Sequence, residues 1–599
     1  MGMTLHTAAF YQRPFTGIWK LLEAVITVIL FVSFTNTAKA SNSPDSVLYH
    51  HFFFDNSRSL SPSFIGTGGL GTARFQPWMP NTDSSAIRFG MPQYEYYRFD
   101  PIQYNLADTA GTRSSHIDYH LGGKKEQHIT VNHQQHLRKG LRLGIAVGAH
   151  TTPGDFSRQL SSGRRIRLNS SYHDATSRYS FDASFRFFRI FNQENGGITS
   201  DSIFENASSL DARTLPIFLD NATSRFRENR YDLVQSYALS NTSIALKWSA
   251  YHEFSMSRNS FVFESVNPDS GYFSTFWFDS TATYDSSFFR QMTNEIGLRL
   301  VASPNFQASA GLALENSKYD LTGFDPLNYE TFLATVRIQG RRGKWDWYLS
   351  TIQSFQNGLS NTRAGVTFHD QKLGTIQTDF GWIKRRPTEV NNYYLSNHFS
   401  WLNYFENEQL SFVSFNHIIP SIRLKYGGAI QASNHTVFFR EDALPQQFNK
   451  PVGLGTVFVQ KTFRFRKFGS VQHVVYGFTG NENVIRMPEL SYFGSLFFEG
   501  SLFEKALDLR TGVDVTIWTP YNGYGFMPAT GAFYLQDNKE IGGFPMAGFF
   551  ADLKIKTATI TIRMDHLNAG IGSREYYGAW RYPLQGRSLK VGVRWFLVD

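Results

Sequence analysis

From Ser114 onward the chain repeats one pattern, an apolar residue followed by a polar or small one, in runs that approach ten residues. Leu141, Leu143, Ile145, Val147 and Ala149 alternate with Arg142, Gly144, Ala146, Gly148 and His150. Phe306, Ala308, Ala310, Leu312 and Leu314 alternate with Gln307, Ser309, Gly311, Ala313 and Glu315. Leu507, Leu509, Val513, Val515 and Ile517 do the same, as do Leu589, Val591, Val593 and Trp595. A period of two sends successive side chains to opposite faces of a sheet. Strands of soluble proteins average about 5–6 residues, whereas a tilted strand needs about 9–11 to cross a bilayer. The run lengths therefore predict strands that span a membrane.

Composition fits this reading and removes its main rival. Only 18% of the 599 residues are charged and 16% are aromatic, against about 25% charged in ordinary soluble domains. A mean hydropathy of −0.31 excludes a bundle of membrane helices. A barrel tolerates that value, because only every second strand residue must be apolar. The expected fold is all-β, a single antiparallel transmembrane barrel of roughly 16–22 strands over residues 114–599. Phe181, Trp248, Tyr251, Trp345, Trp347, Trp382, Trp518 and Trp595 stand in or beside the runs and are expected in aromatic girdles. The separators are unequal: Arg158–Arg164 is short, Asn192–Arg230 is long and polar, and Tyr521–Gly548 is rich in Gly and Pro. Around Thr557 the apolar phase flips, which predicts a turn or a bulge. The alternative architecture is a secreted stack of β-sandwiches, with shorter strands and more regular loops.

The N-terminus carries an export signature. Arg13 and Lys20 precede the apolar run Leu21–Phe34, and Ala38-Lys39-Ala40 is followed by Ser41. That order predicts a cleaved signal peptide over residues 1–40. An N-terminal membrane anchor is the alternative, but the run is short for a span of about 20 residues. Residues 41–113 are irregular, with Gly66–Gly71 turn-rich and Pro77, Pro80, Pro92 and Pro101 beyond. They are read as a periplasmic or lumen-entering lead segment. No strand-then-helix pattern frames the glycines, so they are not a dinucleotide site. Cysteine is absent and the net charge of +9 is spread thinly. No basic run suggests a nucleic-acid partner.

Several blocks resemble a known family. Tyr119-His120-Leu121-Gly122-Gly123-Lys124-Lys125-Glu126-Gln127-His128 is similar to a motif of the putative porin family of Bacteroidota outer membranes, a strand, a K-x-E-Q turn and the next strand. Asn195-Gly196-Gly197-Ile198 and Glu228-Asn229-Arg230-Tyr231-Asp232-Leu233 resemble its loop motifs. Phe533-Tyr534-Leu535-Gln536, Gly543-Phe544-Pro545 and Arg581–Arg587 follow in the family's order, a block partly shared with the barrels of TonB-dependent receptors. The resemblance implies a bacterial outer-membrane channel for passive diffusion of small hydrophilic solutes or ions. It also implies two partners, the outer-membrane lipid and the barrel assembly machinery. Lys590, Gly592, Trp595 and Leu597 look like the terminal-strand signal read by that machinery, although Val598 and Asp599 follow where many barrels end on the aromatic. An ordinary amphipathic last strand is the alternative.

In a pore the chemistry is distributed over the lumen wall. With the aliphatic face toward lipid, Arg142, Arg186, Arg299, Arg423, Lys425, Arg464, Arg466, Arg510, Asp514 and Arg594 become candidate lumen-lining residues. The basic excess suggests weak anion preference; bracing across strands is the plainer alternative. His128, His133 and His136 do not converge on a metal, since the first two face opposite sides of a strand. No catalytic motif is present, so no enzyme activity, cofactor or metal is expected. A homo-oligomer is compatible with the sequence. Two rival functions remain: a TonB-dependent-type or substrate-gated transporter without a recognisable plug, and a non-conducting barrel that docks partners on the Asn192–Arg230 loop.

Overall fold

The computed structural model describes residues 65–75, 113–176, 178–206, 211–240, 246–268, 271–321 and 324–598. The expected signal peptide, with Ala38, Ala40 and Ser41, lies outside the described residues. From Ser114 the period-two pattern becomes one closed antiparallel barrel of twenty-two strands, the upper end of the expected range. The strands run Ser114–Gly122, Gln127–Arg138, Leu141–Thr152, Ser161–His173, Tyr179–Glu194, Ala222–Ala238 and Lys247–Val266. They continue as Ala282–Ser303, Phe306–Leu321, Leu327–Arg342, Trp345–Ser354, Ser360–Asp370, Gly374–Arg385 and Glu408–Ile419. The rest are Leu424–Asn434, Val452–Phe465, Phe468–Thr479, Leu490–Leu502, Leu507–Trp518, Met546–Ile555, Ala558–Asp565 and Ser588–Val598. Closure is direct: the first strand pairs with the last, Ser114 opposite Val598 and Gly122 opposite Lys590. Closure leaves no free sheet edge, which a bilayer core demands.

The two ends of the barrel differ. At one end the connections are tight turns, such as 139–140, 343–344, 466–467 and 556–557. Their left-handed residues suit hairpins of this length, with φ +82° at Gly140, +54° at Arg466 and +53° at Lys556. The phase flip near Thr557 is therefore a turn, between Ile555 and Ala558. At the other end lie the long connections 195–221, 386–407, 519–545 and 566–587, together with short ones such as 123–126 and 355–359. Both barrel termini lie at the turn end.

The outer face is apolar. Ile296, Leu312, Ile430 and Leu496 are each about 60% exposed, which is ruinous in water on this scale but natural against lipid. Trp248, Trp345, Phe463, Phe465 and Trp595 ring the turn end, and Trp382, Tyr476 and Phe478 stand near the loop end. Two residues expected in the girdles are elsewhere. Tyr251 is buried on the inner face, where its ring covers Gly297 and Gly311 and its hydroxyl donates to Glu295 at 2.8 Å. Trp518 is buried with Tyr521, Ile541 and Met546 beneath the loops.

Candidate functional site: the lumen and its mouth

Alternation sends the second face of every strand into the lumen, and that face carries a chain of ion pairs. Asp232 accepts from Arg230 at 2.9 Å and from Ser255 at 2.8 Å, and Arg186 lies 3.7 Å away. Two strands on, Glu295 accepts from Tyr251, from Thr335 at 2.6 Å and from Arg337 at 2.9 Å. Arg299 stands 4.0 Å from Glu253, over the Tyr251 ring. Arg464 and Arg510 flank Glu499, the latter at 3.4 Å, and both lie over Phe497. Asp514 accepts from Arg563 at 2.9 Å. At the seam Arg594 donates to Asp118 at 2.9 Å, both buried.

Thus Arg186, Arg299, Arg464, Arg510, Asp514 and Arg594 stand on the inner face, each beside an opposite charge. Arg142 shares that face with Ala146 and His150. Lys425 lies there too, over the Phe458 ring at 5.4 Å. Arg423 and Arg466 do not line the lumen wall. Both occupy tight turns at the barrel's end, with φ of +51° and +54°, because a turn residue leaves the alternation that would aim it inward. The terminal-strand residues divide by the same rule. Lys590 points inward to Glu126 at 2.9 Å and Asp565 at 3.5 Å. Gly592 leaves room for the His120 ring. Trp595 points outward and donates to Thr557 at 3.2 Å, and Leu597 pairs with Ser115 across the seam.

At the loop end the connections pack against the wall in a way that periodicity does not reveal. Phe188, Phe226, Phe261, Phe263 and Phe289 of the wall form one apolar cluster with Leu219, Phe273, Tyr394, Phe526, Phe533 and Tyr582 of the loops. Hydrogen bonds tie the loops across the mouth. The Tyr394 hydroxyl donates to the Ala529 carbonyl at 3.0 Å, the Ile198 amide to Arg581 at 2.9 Å, and the Trp580 amide to Tyr524 at 2.9 Å. Glu205 joins three loops, accepting from Tyr577 at 3.0 Å and from Lys539 at 2.5 Å. Burial pulls the imidazoles of His398 and His566 below their ordinary pKa.

Part of the lead segment joins this packing. Residues 65–75 form a small hairpin, Ile65–Gly66 against Arg74–Phe75. Leu70 and Ala73 enter the mouth cluster. The Phe75 ring lies 4.8 Å from Phe533 and 5.2 Å from Tyr524, and Gln159 donates to the Thr67 carbonyl at 3.1 Å. Gly71, at φ +87°, sits against His150 and Ser161, where a Cβ would collide. The run Gly66–Gly71 was legible as a turn, but nothing in it announces that the turn is seated inside the barrel.

A closed, lipid-faced barrel with a charged lumen is an outer-membrane β-barrel. The sequence matches the family described as Putative porin over residues 29–599, and the chain belongs to that family. No curated protein matches it in sequence. Its fold is similar to that of the copper transporter OprC, at 10% identity and a TM-score of 0.58, covering 81% of each chain. It is also similar to the FrpB iron transporter of Neisseria meningitidis, F5-1 variant, at 8% identity and 0.55, covering 81% of this chain and 82% of that one. A mutant of the ferric enterobactin receptor PfeA of Pseudomonas aeruginosa matches at 10% and 0.55, covering 82% and 81%. At these identities the likeness is one of fold.

Proposed function

We propose that this barrel conducts small hydrophilic solutes through a bacterial outer membrane, and that its mouth is closed at rest. The observation that carries the reading is the seating of residues 65–75 among the long loops, inside the wall. Barrels of 16–18 strands leave a water-filled channel, whereas twenty-two-stranded ones are wide and are filled by a plug. Here the loops and the lead hairpin supply the filling. The conduit is therefore gated rather than a permanently open diffusion pore, and the paired lumen charges brace the wall more than they select ions. The reading includes export with cleavage after Ala40, insertion by the assembly machinery through the last strand, and no catalytic step.

Planar-bilayer recording of the full chain tests this. The expected record is quiet at low voltage, with discrete large steps once Leu70→Asp loosens the hairpin. Large steady steps from the unaltered chain would return the protein to passive diffusion. Silence from a properly folded Leu70→Asp variant would favour a docking barrel.

A further inference from the structure

The outer wall carries a feature that conduction does not use. On the strands between Ser161 and Leu321, six cations besides Arg225, which pairs with Glu264, point away from the lumen near the loop end: Arg164, Arg189, Arg227, Arg258, Arg290 and Lys318. Each alternates with a buried inward neighbour, as Arg189 does with Phe188 and Ile190, and Arg290 with Phe289. They form two cross-strand triplets. Arg164 is directly opposite Arg189, which is opposite Arg227. Arg258 is opposite Arg290, which is opposite Lys318. The triplets adjoin, because Arg227 faces Ser260, two residues along from Arg258.

Adjacent strands lie about 4.8 Å apart, and like charges directly opposite one another are destabilising. Acidic residues reach only the margins of the row, Glu264 at Arg225 and Asp320 at 3.3 Å from Lys318. On the same strands, toward the turns, Leu168, Tyr231, Ile296 and Leu312 present exposed apolar surface. The cations therefore stand at the upper border of the lipid-facing band, on the side of the long loops, which in such barrels is the external side. Guanidinium groups at this spacing match phosphate oxygens, and basic side chains beside a membrane surface recognise anionic head groups.

We infer that this arc binds a phosphorylated lipid head group of the external leaflet, one phosphate spanning each triplet. The occupant is a membrane lipid, because the row is continuous with the apolar wall that holds acyl chains. Lipid binding on the outer wall does not depend on whether the lumen is gated.

The test uses the full chain, purified in neutral detergent, with diphosphorylated lipid A as the probe. Dephosphorylated lipid A and inorganic phosphate serve as comparison ligands. Diphosphorylated lipid A should bind at least tenfold tighter than either, more weakly as salt is raised. The triple variant Arg164→Gln, Arg189→Gln, Arg227→Gln should lose at least tenfold, with the heat-modifiable gel shift of a folded barrel retained. If the triple variant does not fold, Arg189→Gln alone should lose about threefold. Unchanged binding in whichever folded variant is measured overturns the inference. So does inorganic phosphate competing as well as the lipid, which would make the row a general anion site.

Discussion

The wall between Ser161 and Leu321 and the wall between Glu408 and Val598 follow the same alternation but meet the membrane differently. The first has strands of up to 22 residues, at Ala282–Ser303, and carries the outward basic row. The second has strands of 8 to 14 residues. Toward the loop end its outward positions stay apolar, aromatic or uncharged, as at Ile430, Tyr476, Phe478 and Leu490. About ten residues suffice to cross the bilayer, so the taller wall continues past the hydrocarbon. An outward residue is thus acceptable or ruinous according to its height as well as its face.

That contrast can be broken in several ways. The largest effect is expected inside the tall wall. Glu295→Ala strands Arg337 without its main carboxylate and removes the acceptor of Tyr251 and Thr335. Leaving the buried Tyr251 and Thr335 hydroxyls without their acceptor costs about 1–3 kcal/mol each, readable as a lower urea midpoint in tryptophan-monitored unfolding. Next comes a cation placed at mid-height on the short wall. Leu496→Arg should cost about 2–4 kcal/mol in lipid vesicles, while Arg290→Leu on the tall wall should cost no more than about 1 kcal/mol. Equal costs would mean that the two walls sit at the same depth. A smaller, pH-dependent effect belongs to the mouth. His398 stacks on Phe273 at 3.7 Å and meets Thr283 at 2.8 Å. Burial depresses its pKa, so its contribution is complete above the ordinary value of about 6.5. It is lost as the pH falls below that value, where the opened loop gains a proton that the packed one refuses. Amide protection factors across residues 394–401, taken relative to the intrinsic rate at each pH, should fall between pH 7.5 and 5, and His398→Gln should flatten the change. The smallest effect is expected at the loop surface: Tyr404, 81% exposed, changed to Ser should shift stability by less than about 0.5 kcal/mol.

Much of this was legible in the sequence, because alternation is local. The strands at Leu141, Phe306, Leu507 and Leu589 and the turn near Thr557 follow from period two, and so does the inward face that holds Arg186, Arg299 and Arg594. The failures share one cause. Tyr251 reads like any other girdle aromatic, and only Gly297 and Gly311 on the next two strands open the hollow its ring fills. Arg423 and Arg466 follow an inward series by sequence but fall one step into a turn. By sequence the stretch Asn192–Arg230 reads as a long polar loop. In fact strands extend through Glu194 and from Ala222, and Ile198, Phe204, Leu215 and Leu219 are buried in the mouth. Contacts such as Tyr394 with Ala529 join residues far apart in the chain, and no local period encodes them. The basic row has the same character: its members are unremarkable one by one and become a surface only through cross-strand register.

The hairpin at residues 65–75 lies within a ring made by residues 114–598 of its own chain. Its position therefore constrains the order of assembly. The ring is completed where the strand Ser588–Val598 pairs with the strand Ser114–Gly122. Either the leader is gathered in before that final pairing, so that closure imprisons it, or it passes afterwards through an opening already bounded by twenty-two strands. In both histories the two halves of the chain cannot be separated again without breaking the seam held by Asp118 and Arg594 or drawing the leader back through the hoop.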